Sequence, residues 1–321
     1  MKKSTVIAII VALVLIFLGL IVCVCALFSV DFDLKQFNVK TMYEKKFDVT
    51  ENFTKVQAEL GELDIRVIPS DDESCTVICY ENDKVSYNVS VEDDTLYIIK
   101  QGNYDWYDNI GISITNDQAK ITLYLPEDQY EALKITSASG DVYVSDKLTF
   151  KSLEIDCASA DVEYMATSDV ISVKTASGDI ELGNSNAVSA EISSVSGDVS
   201  IKNMSMSEST SIKTTSGDVE AENIECAGFT CQTTSGEIEL AGVVSGGSMT
   251  VSTKSGEVEL SGCDAESLDI KTVSGDVSGV IITGKKFNCN SVSGNIRVPD
   301  DADGGECSIN TTSGDIYIKI K

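Results

Sequence analysis

One tetrapeptide, Ser-Gly-Asp-Val or a near variant, returns ten times from residue 139 onward, and its regularity leaves few folds open. Its second position is filled by Gly140, Ala160, Gly178, Gly197, Gly217, Gly236, Gly256, Gly275, Gly294 and Gly314. The intervals are 20, 18, 19, 20, 19, 20, 19, 19 and 20 residues. A fixed period of this length is the mark of a solenoid, in which each unit stacks on its neighbours. Relative to the glycine, apolar residues stand five before (Ile135, Ile155, Val173), two after (Val142, Val162, Ile180) and four after (Val144, Tyr164, Leu182), with mostly polar residues between. That alternation predicts two short strands per repeat and a sharp bend between them. The nine glycines are expected to supply a positive φ at the bend, with Ala160 turning differently.

No such unit can hide its own apolar face. Stacking closes the core, with equivalent positions about 4.8 Å apart in parallel ladders. The fold expected is all-β: a right-handed parallel β-solenoid of about ten 19–20-residue coils, the hand following from the rule for parallel crossovers. Three residues before the glycine runs a second inward column, including Ser137, Thr175, Ser194, Thr214 and Thr233. Its hydroxyls are read as a structural ladder bonding along the rod or to the bend backbone. The repeats occupy 134–321, and strands without the beat at 53–133 are expected to cap the N-terminal end. At the other end Tyr317, Lys319 and Lys321 alternate with Ile316, Ile318 and Ile320, as outward residues guarding an open terminal edge.

Ahead of these lie a tail at 1–5, an uncharged apolar run at 6–28 and a polar stalk at 29–52. At 1.5 Å per residue the run spans a bilayer as one transmembrane helix. Lys2 and Lys3 before it place the N-terminus in the cytoplasm and the solenoid outside the cell. A cleaved signal peptide or a weak lipobox at Leu20–Cys23 would give the same outside location. The expected location is therefore the cell membrane, single-pass, with an extracellular solenoid.

Composition limits the chemistry. The chain has no His, which removes the commonest general base and most zinc sites. Its ten Cys include no CxxC pair, and Cys231, Cys289 and Cys307 fall on inward repeat positions as small buried hydrophobes. A net charge of −27 makes nucleic acid a poor partner and points to cations, cationic peptides or basic envelope proteins.

The first and third residues after the glycine share outward parity. Asp218 and Glu220, Glu237 and Glu239, and Glu257 and Glu259 should therefore stack on one face, with a smaller patch from Asp161, Glu163, Asp179 and Glu181. Such rows would take a cationic ligand or Ca²⁺; otherwise they form a solvated face, with the first carboxylate accepting bonds from bend N–H groups. No other cofactor is expected. A second binding candidate is the aromatic loop with Tyr104, Trp106 and Tyr107.

The N-terminal anchor, the Leu125-Pro126 strand end, the run Leu133-Lys134-Ile135-Thr136-Ser137-Ala138-Ser139-Gly140-Asp141-Val142 and the ensuing beat together resemble the bacterial putative-adhesin, or toast-rack, family of unknown function. The resemblance covers about residues 53–321. It implies an envelope protein with no catalytic residues to carry over, some members belonging to Lia-type operons that respond to antibiotics and cationic antimicrobial peptides. The function expected is a non-enzymatic, envelope-anchored binding or signalling module. The alternative is a structural adhesin or spacer, and a polysaccharide-active β-helix enzyme stands last.

Overall fold

A computed structural model describes residues 42–82, 84–102, 120–300 and 303–321. The expected tail, transmembrane segment and aromatic loop, with the stalk up to residue 41, lie outside the described residues. Among the described residues there are 26 strands and no helix, and none is long and apolar enough to cross a membrane. The chain is a parallel β-solenoid of about nine turns, the number of intervals between ten corners.

Equivalent positions stack in register. Ile135 lies opposite Ile155, Ile155 opposite Val173, and Val173 opposite Ile192. On the other side of the corner Val142, Val162, Ile180, Val199, Val219, Ile238, Val258 and Val277 form one unbroken column. All are buried. Each Val or Ile hidden in this way contributes roughly 1.5–3 kcal/mol, available only through the neighbouring coils. From the Gly178 coil onward there is also a third short ladder, seen as Met204 opposite Ile224 and Ile224 opposite Val243. It follows a second corner at Asn184, Asn203, Asn223, Gly242 and Gly262, whose φ values run from 53° to 66°. Within the repeats positive φ occurs in this column and at Gly279, not at the Ser-Gly-Asp corner.

The corner glycines require a different explanation from the one expected. None of them has a positive φ. A Cβ on Gly217 would sit 1.9 Å from the carbonyl oxygen of Gly197, and one on Gly256 would sit 1.8 Å from that of Gly236. Glycine is needed because successive corners touch backbone to backbone. The hydroxyl column completes the contact: Thr233 donates to the Gly217 carbonyl at 3.2 Å and accepts the Gly236 N–H at 3.1 Å. Thr214 does the same between Gly197 and Gly217, at 3.3 and 3.1 Å. The coil that carries Ala160 in place of glycine also carries Cys157 in place of the hydroxyl, so both halves of the device are missing together.

At the N-terminal end β1 (Tyr43–Val49), β2 (Lys55–Glu59), β3 (Ile65–Pro69), β4 (Cys75–Glu81), β5 (Ser86–Glu92), β6 (Thr95–Gln101) and β7 (Ile121–Leu125) precede the first beat. The β2–β3 coil lies against the Gly140 coil, with Val56 opposite Leu133 and Ile65 opposite Val142. The β6–β7 coil lies outside it, parallel to both strands. Antiparallel strands then cover the edges: β5 on β6, β4 on β7, and β1 on β4. Residues 43–49, expected in the stalk, are thus a paired strand. The Glu81 carboxylate, buried in β4, accepts from Lys45 Nζ at 3.1 Å and from the Tyr87 N–H at 2.8 Å, fastening β1 and β5 to the end.

The C-terminal end is ordered differently from the sequence. The Gly314 coil, made of Glu306–Thr311 and Ile316–Ile320, inserts between the Gly275 and Gly294 coils. Thr311 donates to the Gly275 carbonyl at 3.2 Å, and Ser291 to the Gly314 carbonyl at 2.8 Å. The entry is narrow: a Cβ on Gly305 would lie 1.7 Å from the Glu266 carbonyl oxygen, and one on Gly304 would lie 2.0 Å from that of Gly284. The strand carrying Tyr317, Lys319 and Lys321 is therefore not the open edge. That place is taken by Lys286–Ser291 and Ile296–Arg297. For the same reason Cys289 is only half-buried, whereas Cys231 and Cys307 are fully buried as expected.

Candidate functional site: an acidic groove along the rod

The outward residues beside each Ser-Gly-Asp corner build the site. In the first column the backbone N–H of one corner donates to the carboxylate of the corner before it. Asp161 N–H reaches Asp141 Oδ1 at 3.0 Å, Asp179 N–H reaches Asp161 at 2.8 Å, Asp198 N–H reaches Asp179 at 2.8 Å and Asp218 N–H reaches Asp198 at 2.8 Å. Asp64 on the first coil begins this ladder by accepting from Asp141 N–H. Each aspartate thus holds a corner with one oxygen while its side chain stays exposed. Glu237 donates its N–H to Asp218, but among the described residues no such bond ends on Glu237 or Glu257. The longer side chain carries its carboxylate past the N–H that aspartate meets.

The second column stacks Tyr143, Glu163, Glu181, Ser200, Glu220, Glu239, Glu259 and Ser278 in register. The glutamates are all exposed. Neighbouring carboxylates repel by roughly 1 kcal/mol per pair in high dielectric before screening. Two cations offset this. Lys202, from the adjoining column, pairs with Glu220 at 2.8 Å, and Ser200 Oγ donates to the same carboxylate at 3.1 Å. These bonds, that to Lys202 foremost, hold the Glu220 carboxyl below the usual range and push the Lys202 ammonium above its own. At the capped end Arg66 lies over the Tyr143 ring, 4.8 Å from its centroid.

The two acidic patches expected from the sequence are therefore parts of one surface. A groove of about 850 Å³ runs past Asp64, Arg66, Lys120, Asp141, Asp161 and Glu181 as far as Asp198 and Ser200. A second stretch of about 370 Å³ begins at the same Asp198 and Ser200 and continues to Glu237 and Glu239. Asp64, Asp141 and Asp198 join the expected carboxylates, and Arg66, Lys120 and Lys202 bring positive charge that the columns alone did not reveal. The signal for Asp141 and Asp198 was present, since both follow a corner glycine. Arg66 lies in a coil without the beat, and Lys202 is two residues beyond the column.

Among the described residues no three Asp, Glu or Cys side chains converge as metal ligands would. The eight described cysteines are unbridged, and burial pushes the thiols of Cys75, Cys79 and Cys307 up to about 12. Such thiols carry no nucleophilic thiolate at neutral pH. The hydroxyl column is occupied by corner bonds. Nothing among these groups makes an activated nucleophile or an acid–base pair in a closed pocket.

A family model described as Toastrack DUF4097 matches residues 53–241 and 207–321, nearly the whole of the described chain. The chain belongs to that family. Among solved structures, a putative adhesin from Parabacteroides distasonis is 15% identical, with 86% of this chain and 97% of that one covered, at a TM-score of 0.49. A putative adhesin from Bacteroides fragilis is 16% identical, with coverage of 88% and 98% and a TM-score of 0.40. A putative lipid binding protein from Parabacteroides distasonis is 15% identical, with coverage of 86% and 97% and a TM-score of 0.31. No curated protein matches this Toastrack chain.

Proposed function

We propose that the chain is a non-enzymatic binding module anchored in the cell envelope, whose groove takes extended cationic ligands. The observation that carries this reading is the continuity of the acidic groove through Asp198 and Ser200, from the Asp64 coil to the Glu239 coil. A ligand laid along the rod meets at least one fresh acid every coil, about 4.8 Å on, and a pair at the Ala160, Gly178, Gly217 and Gly236 coils. Cationic peptides are the polymers whose charge matches that repeat. An acidic rod held outside the membrane would meet them before the bilayer does, which supports a role in envelope stress. The anchor is the apolar run at 6–28, with the N-terminus cytoplasmic and the solenoid extracellular.

The test is titration of the purified full chain with a labelled oligolysine peptide at low and high salt. Binding should weaken steeply with salt, and Glu239→Gln with Glu259→Gln should weaken it several-fold without changing the fold. Binding no tighter than to an unrelated acidic protein would refute the groove. Extraction of the chain from membranes by alkaline carbonate would refute the anchor. A second reading, a surface adhesin or spacer, is favoured by one feature, the C-terminal end, on whose edge no described strand lies.

A further inference from the structure

We propose that the open end of the solenoid is a homotypic docking face, joining two copies tip to tip. At this end Lys286–Ser291 pairs with Glu306–Thr311, and Ile296–Arg297 pairs with Ile316–Ile320. Among the described residues no further strand lies against either of them. A strand edge left in this way is a template for another chain.

The terminal coil is chemically unlike the rest of the rod. Residues 277–299, from the last strand of the Gly275 coil through the edge strands, contain Lys285, Lys286 and Arg297 but no Asp or Glu, the acids resuming at Asp300 and Asp303 in the connection that follows. Lys285 is spent internally, buried against Asp264 at 2.7 Å. At the corner, Asn295 replaces the usual carboxylate and turns its amide back onto Asp315 at 3.3 Å. The position two further on, held by Glu in five other coils, is Arg297. Two rods of strong negative charge repel one another least where acids are missing, and along the edge strands themselves they are. Depletion of charge around an apolar centre is also what distinguishes interface cores. Exposed apolar side chains are present here: Val292 is 74% exposed and Ile296 and Ile282 are each 41% exposed, with Val298 half-buried.

The occupant is the same end of a second copy. Head-to-tail stacking is blocked because β1, β4 and β5 cover the opposite end. A two-fold relation instead sets each edge strand antiparallel to its own copy, and such an isologous contact closes at the dimer. Of the segments outside the described residues, 1–41 and 103–119 join the chain at the capped end, beside β1 and between β6 and β7, while residues 301 and 302 fall in the connection between Arg297 and Glu306 at the open end. If the N-terminal anchor proposed above holds, the docking face points away from the membrane, and dimers bridge opposed envelopes.

The experiment is sedimentation equilibrium of the purified full chain, with Ile296→Lys and Val292→Lys as tip variants, each checked for an unchanged circular dichroism spectrum and melting temperature. The expected result is a concentration-dependent dimer, weakened roughly tenfold or more in each variant. A monomer at all concentrations overturns the proposal, and so does a dimer that both variants leave intact. Hydrogen exchange adds an arm: amides at 286–297 should gain protection only on dimerisation, and full protection in the monomer would mean that the chain's own residues cover the edge. Clustering of vesicles carrying the protein tests the membrane arrangement separately. A dimer in solution without clustering would leave docking standing and overturn the bridging geometry.

Discussion

At its first coils the solenoid carries three antiparallel strands over its edges, tied down by the buried carboxylate of Glu81; at its last coil no strand among the described residues lies on the edges. The two ends nevertheless share a topology. The β2–β3 coil is inserted between the β6–β7 and Gly140 coils, just as the Gly314 coil is inserted between the Gly275 and Gly294 coils. Chain ends are ordinarily where fraying starts. Here the earliest and latest coils in the sequence are both held between two others, so neither end of the solenoid can peel from its terminus. The difference is that one end is finished by strands of its own chain and the other, among the described residues, is not.

The most severe way to break this comparison is to remove residues 306–321. Because that coil lies inside the stack, its loss should strip the Gly294 coil as well. Cys307, Ile309, Ile316 and Ile318 are all buried, so the cost should be on the order of 6 kcal/mol or more, read from urea midpoints. A loss of only about 1 kcal/mol, as for a frayed end, would mean that the inserted order is wrong.

A Cβ at Gly140 would lie 2.0 Å from the Leu63 carbonyl oxygen, and one at Gly294 would lie 1.9 Å from that of Gly314. The clashes are alike, but the Gly140 coil is held on both sides while the Gly294 coil can lift. Gly140→Ala should therefore cost about 3 kcal/mol and Gly294→Ala about 1 kcal/mol. Equal losses would show that the open end is as confined as the capped one. Thr233→Val, in mid-rod, should fall between them at about 2 kcal/mol, since it leaves the buried Gly236 N–H and Gly217 carbonyl without their bonds.

Thiol labelling sharpens the contrast further. Among the described cysteines, half-buried Cys289 at the open end should react first, while Cys75 and Cys79 at the capped end should react only on unfolding. Labelling of Cys289 should also slow at concentrations where the tips dock. The smallest effect expected is on pH. The folded Glu220 carboxyl is lowered by Lys202, so its contribution is present above the ordinary carboxylate range and lost as the pH falls through its folded value. Acidification should weaken cation binding in the groove before it affects docking through the edge strands, which carry no acid, as checked by titrating each at falling pH.

Much of this was legible from the repeat. The inward columns, the hydroxyl ladder and the outward acid columns all follow from parity, because a strand can turn only alternate side chains to one side. The corner glycines were legible but for the wrong reason: sequence suggests a positive φ, whereas Gly197 and Gly217 are required by close approach between coils. The true left-handed corner was marked by Asn184, Asn203, Asn223, Gly242 and Gly262, a column whose mixed composition lacks the force of the Ser-Gly-Asp beat. The joining of the two acidic patches needed only Asp198 and Ser200, which parity also supplies.

The sequence alone determined what each coil contains: which side chains face inward, which corner needs glycine, and where the charge lies. Tertiary structure decided the order of the coils. Since every coil offers its neighbours nearly the same valine, threonine and glycine, a stack of 275, 294, 314 and one of 275, 314, 294 satisfy the same ladders. The choice rests on whether a chain can pass between two coils, and at Gly304 and Gly305 it can, because backbone meets backbone there with no side chain in the way.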